Sequence, residues 1–336
     1  MAGMANGPAD VAWQGGVRRL RAALGALWVV DGALQFQPFM FTHGFVTNVL
    51  AASAQGNAGF VFRPTTAIAH FVAPHIAIWN TLFATLQVAL GLGIVVATTQ
   101  RRWGALRYFL AASMVWSVLV WWLSEGLGGV LTGASPLAGA PGAVVLYAII
   151  AVLVWPARRG EDGANAPWLG SIQARATWLV TWTLSGFLLL EPANQTRGAV
   201  TSLVAQAASG EPGFVHGLLT PVANFLSGSG PWLDSILALA MIGIGVGVAL
   251  RLRARLLLVV SIALATVIWV FGEAFGGIFT GQGTDPNSGP LWILFALCMW
   301  VGLRQNSGAE ATEPAATATV RRVHHDAVTA GATGAR

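Results

Sequence analysis

A chain of 336 residues in which 55% are hydrophobic and only 9% charged, with a mean hydropathy of +0.66, is too apolar for soluble domains and falls in the membrane class. Its net charge of +5 comes from 18 basic residues, every one an arginine, and these are dispersed in alternate loops. No soluble domain is large enough to gather them on one face, which excludes a nucleic-acid-binding protein. The single cysteine, Cys298, lies in an apolar run and excludes a disulfide framework.

In chain order, residues 1–19 read as a cytoplasmic N-terminus. The apolar stretch after them is full length and has no small-residue cleavage site at its end, so it is a retained helix and not a signal peptide. Roughly 20 apolar residues cross a bilayer core, and eight stretches are candidates: 20–41, 77–98, 104–125, 138–156, 174–192, 232–250, 255–275 and 290–304. The fourth and eighth, with apolar cores AVVLYAIIAVLVW and PLWILFALCMW, reach only about 20 Å at 1.5 Å per residue. Residues 126–142 and 274–289 are therefore expected to dip back into the outer leaflet. Two outer segments, 42–76 and 196–231, are too long for turns, and FVTNVLAASA and AVTSLVAQAAS have the spacing of short amphipathic helices lying at the interface.

The arginines fix an orientation. Arg18, Arg19 and Arg21 precede the first candidate span, Arg101, Arg102 and Arg107 follow the second, and Arg158, Arg159 and Arg175 follow the fourth. Arg251, Arg253 and Arg255 follow the sixth and Arg304, Arg321, Arg322 and Arg336 the eighth, which leaves Arg63 and Arg197 for the other side. The positive-inside rule then places both termini in the cytoplasm, with the protein in the cytoplasmic membrane, as for a bacterial inner-membrane protein. The linker 157–173 carries both charge signs with Gly and Pro, and the tail 305–336, which holds His324 and His325, has a disordered composition.

The chain also reads as a duplication. RAALGALWVVDGALQFQPFMFTHGFV aligns without a gap on RATWLVTWTLSGFLLLEPANQTRGAV, matching Arg21 with Arg175, Trp28 with Trp182, Gly32 with Gly186 and Pro38 with Pro192, an offset of 154 residues. Further on, WWLSEGLGGVLTG and WVFGEAFGGIFTG match Trp121 with Trp269 and Glu125 with Glu273 at an offset of 148. Four spans in each copy make the copies parallel. The expected fold is all-α and polytopic: eight transmembrane helices as two parallel four-helix repeats, 20–156 and 174–304, with short outer interfacial helices.

An ionised carboxylate at the bilayer centre costs about 2.5–3.5 kcal/mol on insertion scales, so intramembrane acids are candidate site residues. Asp31 sits near the middle of the first span with Trp28, Gly32 and Gln35 close by on the helical surface. The duplication puts Ser185 opposite Asp31 and Glu191 opposite Gln37, so the halves differ in charge. Glu125 and Glu273, beside Trp121 and Trp269, fall at the outer rim, about 27 Å up their spans. Each either pins a re-entrant loop or joins a ligand or proton site. In the second copy that loop carries Asp285 and Asn287, both suited to Asx turns. His43, His70, His75 and His216 lack metal-ligand spacing, so no metal is expected, and phosphate loops, catalytic triads and dinucleotide fingerprints are absent.

The unit of an arginine, then LGALWVVDGALQ, a long outer segment and three further spans resembles the DoxX/DoxD-like group of small membrane proteins, through Arg21, Gly25 and Gly32 and the four-span count. This chain departs by its duplication and by lacking the lysine that often follows the span-one glycine. The resemblance implies a bilayer-embedded protein, and the group includes quinone-linked thiosulfate oxidoreductase subunits. Three readings follow. The first is a non-catalytic, accessory protein whose outward-facing polar cavity binds a small amphipathic ligand near Asp31, Glu125 and Glu273. The second is a quinone-linked oxidoreductase subunit with quinone in a Trp-lined cavity and a carboxylate as proton acceptor. The third is a proton-coupled secondary transporter using Asp31.

Overall fold

The computed structural model describes residues 8–157 and 163–304. α1 runs from Pro8 to Leu34, so the helix takes in residues upstream of the expected span. It also stops early. Gln35–Gln37 turn, and Pro38, which can give no N–H to a helical ladder, opens a short 3-10 turn over Pro38–Phe41. The first amphipathic segment is not the expected α-helix: it is a π turn, Val46–Ala51, followed by a 3-10 turn, Ala52–Ala54.

α2 (Gly59–Val72) and α3 (Ile76–Thr99) are joined by the 3-10 turn Ala73–His75 into one long apolar stretch, with the break at Pro74. α4 spans Trp103–Leu123. α5 (Ala143–Leu153) has 11 residues and is only about 16 Å long. The described part of the linker leads to α6 (Ile172–Leu189), whose first turn is capped by the Ser171 hydroxyl accepting from the Ala174 N–H at 3.1 Å. α7 (Ala199–Ala208) and α8 (Gly213–Leu226) form the second outer segment. α9 (Trp232–Ala249), α10 (Ala254–Val267) with its π-turn extension Ile268–Gly272, and α11 (Ser288–Arg304) complete the fold.

The chain is thus all-α, with no strand among the described residues. Four helical stretches are long and apolar enough to cross a membrane: Gly59–Thr99, Trp103–Leu123, Trp232–Ala249 and Ala254–Gly272. The other expected spans fall short for physical reasons. α1 carries Arg18, Arg19, Arg21 and Asp31, α6 is rich in Thr and Ser, and α5 and α11 are shorter. Exposed apolar residues such as Phe71, Ile78, Leu82, Val115, Val180 and Leu239 cover the outer faces of these helices, which suits contact with lipid.

Helix pairs are set by close backbone approach. α1 packs along α3, where Gly32 brings its Cα against the Ala84 carbonyl: a Cβ there would lie 2.8 Å from that oxygen. The same contact recurs 154 residues on, where α6 packs along α9 and a Cβ on Gly186 would lie 2.8 Å from the Ala238 carbonyl. At the arginine-rich end, guanidinium groups bind carbonyls of helix ends and of the linker. Arg21 donates to Val154 at 2.9 Å and to Gly163 and Asn165 at 3.1 Å, and Arg175 donates to Ala249 at 3.1 Å. Arg21 also sits over the Trp103 ring, its guanidinium carbon 5.6 Å from the ring centroid. The tail, with His324 and His325, lies outside the described residues.

Candidate functional site

The loop after each glutamate is compact and backbone-strained. Leu127, Gly128 and Gly129 hold positive φ in the first, and Phe275 and Gly276 in the second. Two indoles pin these loops. Trp121 Nε1 donates to the Pro141 carbonyl at 2.7 Å, and Trp269 Nε1 to the Pro286 carbonyl at 2.8 Å. Trp121 and Trp269 thus each tie a loop to the end of the preceding helix.

The glutamates differ in what they hold. The Glu273 carboxylate accepts from the Ser288 hydroxyl and, at 3.0 Å, from the Gly289 N–H, so it caps the start of α11. Glu125 faces the Val144 N–H at the start of α5, where Ala143 offers no hydroxyl, and its Oε2 is buried without a partner. One acid is bound into the scaffold and the other is left partly free.

That free acid borders a cavity of about 230 Å³ inside the first half of the molecule. Asp31 and Gln35, one helical turn apart, contribute from the end of α1; Phe83 and Gln87 from α3; Trp116, Val120 and Leu123 from α4; and Ser124, Glu125 and Val144 close the side next to α5. Phe45, Val49, Leu50 and Ile68 roof it from the outer segment. The remaining wall comes from the far end of the chain. Thr284 and Asp285 reach it on the loop before α11, held there by Gln35 Nε2 donating to the Thr284 carbonyl at 3.3 Å and by Gly139 lying against the Asn287 amide.

Asp31 is 2% exposed and keeps Oδ1 without a partner, and Gln87 is 8% exposed and keeps Oε1 without one. Both are anomalies, since buried polar atoms are ordinarily paired. Beside Asp31 stands the Tyr147 hydroxyl, close enough to interact but closing no hydrogen bond on it. The Tyr147 ring stacks on Trp28 at 4.1 Å, and Trp28 Nε1 donates to the Ser113 hydroxyl at 2.8 Å. Trp28 is thus a buried support for the site and does not line the cavity. Asp285 is satisfied within its own loop: its carboxylate accepts from the Asn287 N–H and from the Thr284 hydroxyl, each at 2.7 Å. Burial holds the Asp285 carboxyl above its ordinary range, and these two hydrogen bonds oppose that shift.

Of the candidates read from the sequence, Asp31, Gln35, Glu125 and Asp285 come together on one cavity. Asn287 positions its loop, its side-chain oxygen accepting from the Ser288 N–H at 2.7 Å. Glu273, Trp121 and Trp269 hold backbone, while Glu191 is exposed beside Gly133 and does not line the cavity. Sequence reasoning passes over Gln87 and Tyr147; a glutamine inside the apolar run TLQVAL is the available signal for the first. Among the described residues no three of His, Cys, Asp and Glu converge to hold a metal ion.

A much smaller space lies in the second half of the chain. Only about 10 Å³ remains between Trp182, Ser185, Met241, Ala265, Ile268, Trp292 and Pro136. Ser185 stands where the first half has Asp31, and its hydroxyl bonds back to the Thr181 carbonyl at 3.0 Å. Trp182 and Trp292 fill the volume, their rings 5.0 Å apart. Pro136 enters from the loop of the first half, as Asp285 enters the cavity from the loop of the second.

Comparison of the chain with family models, with curated proteins and with solved structures gives no match.

Proposed function

We propose that this chain is a multi-pass membrane protein of DoxX-like type, built from two parallel four-helix repeats, whose first-half cavity faces outward and binds a small amphipathic ligand. The observation that carries this reading is the cavity itself. A volume of about 230 Å³ with apolar walls at Phe45, Phe83 and Trp116 and with buried, partnerless oxygens on Asp31, Gln87 and Glu125 is a binding-site composition. The nearly filled space in the second half argues the same way, because packing alone could have closed both. The outward direction rests on the arginine-rich end lying opposite the roofed end in the sequence reading.

The test is a cavity-filling variant, Val120→Trp, compared with wild type after purification in nanodiscs. Mass spectrometry of retained small molecules should find a species in the wild type that the variant lacks. Identical contents in both would remove the reading.

The quinone-linked alternative has one observation in its favour, the aromatic wall formed by Phe83 and Trp116 with ring centroids 5.5 Å apart. Its chemistry fits less well. A quinone presents carbonyl acceptors, and against them the cavity sets one unpartnered buried donor, the Trp116 indole N–H, beside the carboxylates of Asp31, Glu125 and Asp285, which when ionised only accept.

A further inference from the structure

Three carboxylates, Asp31, Glu125 and Asp285, line the cavity, and no Lys, Arg or His lines it with them. They are near enough for Asp285 to repel both of the others. Gln35 adds to the negative character: its amide nitrogen is engaged by the Thr284 carbonyl, which leaves its side-chain oxygen as the free end. An independent sign comes from Gln87, 8% exposed with Oε1 unpartnered, which also lines the cavity. The unpartnered groups bordering the cavity are three acceptor oxygens, on Asp31, Gln87 and Glu125, and one donor, the Trp116 indole N–H, so acceptors are in excess and no positive charge faces the carboxylates.

A metal ion would meet the charge but not the geometry, since the acids do not converge on one point among the described residues. A donor-bearing organic cation suits groups that are spread out. The apolar surfaces of Leu50, Phe83, Trp116 and Leu123 then take its hydrocarbon part.

We propose that the ligand of this cavity is a primary alkyl- or arylalkylammonium, its N–H groups directed at Asp31 and Glu125 and its apolar part against Phe83 and Trp116. The proposal rests on the ligand-binding reading above and names its chemical class. Such an ammonium has two sources, a free amine or the headgroup of phosphatidylethanolamine. The negative field contributed by Asp285 makes the second-half loop a determinant of first-half specificity, although Asp285 itself is already hydrogen-bonded.

The experiment is isothermal titration of the full chain in phosphatidylcholine nanodiscs with 2-phenylethylamine, 2-phenylethanol and 3-phenylpropionate, against empty nanodiscs. The amine should bind saturably, with the alcohol and the acid at least about tenfold weaker, the scale of losing a charge-assisted hydrogen bond. Asp31→Asn should weaken the amine by at least about tenfold. Ser185→Ala, at the equivalent place in the second half, should leave binding unchanged and shows that the effect is local. Phosphatidylethanolamine in the nanodisc should compete if the headgroup is the source, and should not compete if a free amine is; the ammonium class stands in both cases. Equal binding of alcohol and amine, insensitive to Asp31→Asn, would overturn the ammonium assignment while leaving a ligand cavity. Failure of all three probes to bind, together with no retained species lost in Val120→Trp, would overturn the ligand reading itself.

Discussion

At the scale of single residues, two glutamates in matching sequence motifs do different work because of one neighbour each. Ser288 gives Glu273 a hydroxyl donor in addition to the Gly289 N–H, whereas Ala143 gives Glu125 none. Glu273→Ala would strand the Gly289 N–H and the Ser288 hydroxyl in a buried place, and should cost about 2–3 kcal/mol. Glu125→Ala releases the Val144 N–H alone and removes an Oε2 that has no partner, so it should cost less, about 1 kcal/mol. Thermal unfolding of both variants in the same detergent checks the difference; equal losses would mean that the single Val144 contact holds Glu125 as firmly as Ser288 and Gly289 hold Glu273. The acids themselves were legible, because charge in an apolar run stands out. Their division into scaffold and site was not, since it depends on a hydroxyl that sits 15 residues away from Glu273 and on its absence from the first half.

At the scale of helices, α1 and α3 approach through Gly25, Gly32 and Gly91, with no side chain between their backbones. Gly32→Val would place its Cβ against the Ala84 carbonyl and the Val88 side chain, drive the helices apart and cost at least about 1–3 kcal/mol. Because α1 carries Asp31, the same variant should weaken ligand binding. Gly15, farther toward the N-terminus of α1, has nothing within 4 Å of the place a methyl group would occupy, so Gly15→Ala should be neutral or stabilise by about 0.5–1 kcal/mol through helix propensity alone. Melting temperatures of the two variants distinguish packing from propensity. Helix existence was readable from apolar runs, yet ends were not. α1 stops at Leu34, shortly before Pro38, and FVTNVLAASA winds as π and 3-10 turns after Phe45, limits that apolar periodicity does not carry.

At the scale of the whole molecule, the Gly32–Ala84 and Gly186–Ala238 contacts have the same form and lie 154 residues apart, which favours the duplication we propose. The exchange of loops had no sequence signal: Pro136 serves the second half and Asp285 the first, and such long-range placement follows only from how the halves meet. Asp31, with a partnerless oxygen, and Ser185, bonded to its own helix, then mark one half as open and the other as packed. The central claim is that the open half holds a water-reachable cavity on the outer side. Ser124 lines that cavity and Cys298, the native thiol, is fully buried and silent to reagents. The most direct test is labelling of Ser124→Cys by a membrane-impermeant maleimide in right-side-out vesicles. The account predicts modification from outside that Val120→Trp blocks; modification only from the inner face, or none until the protein is denatured, would contradict it.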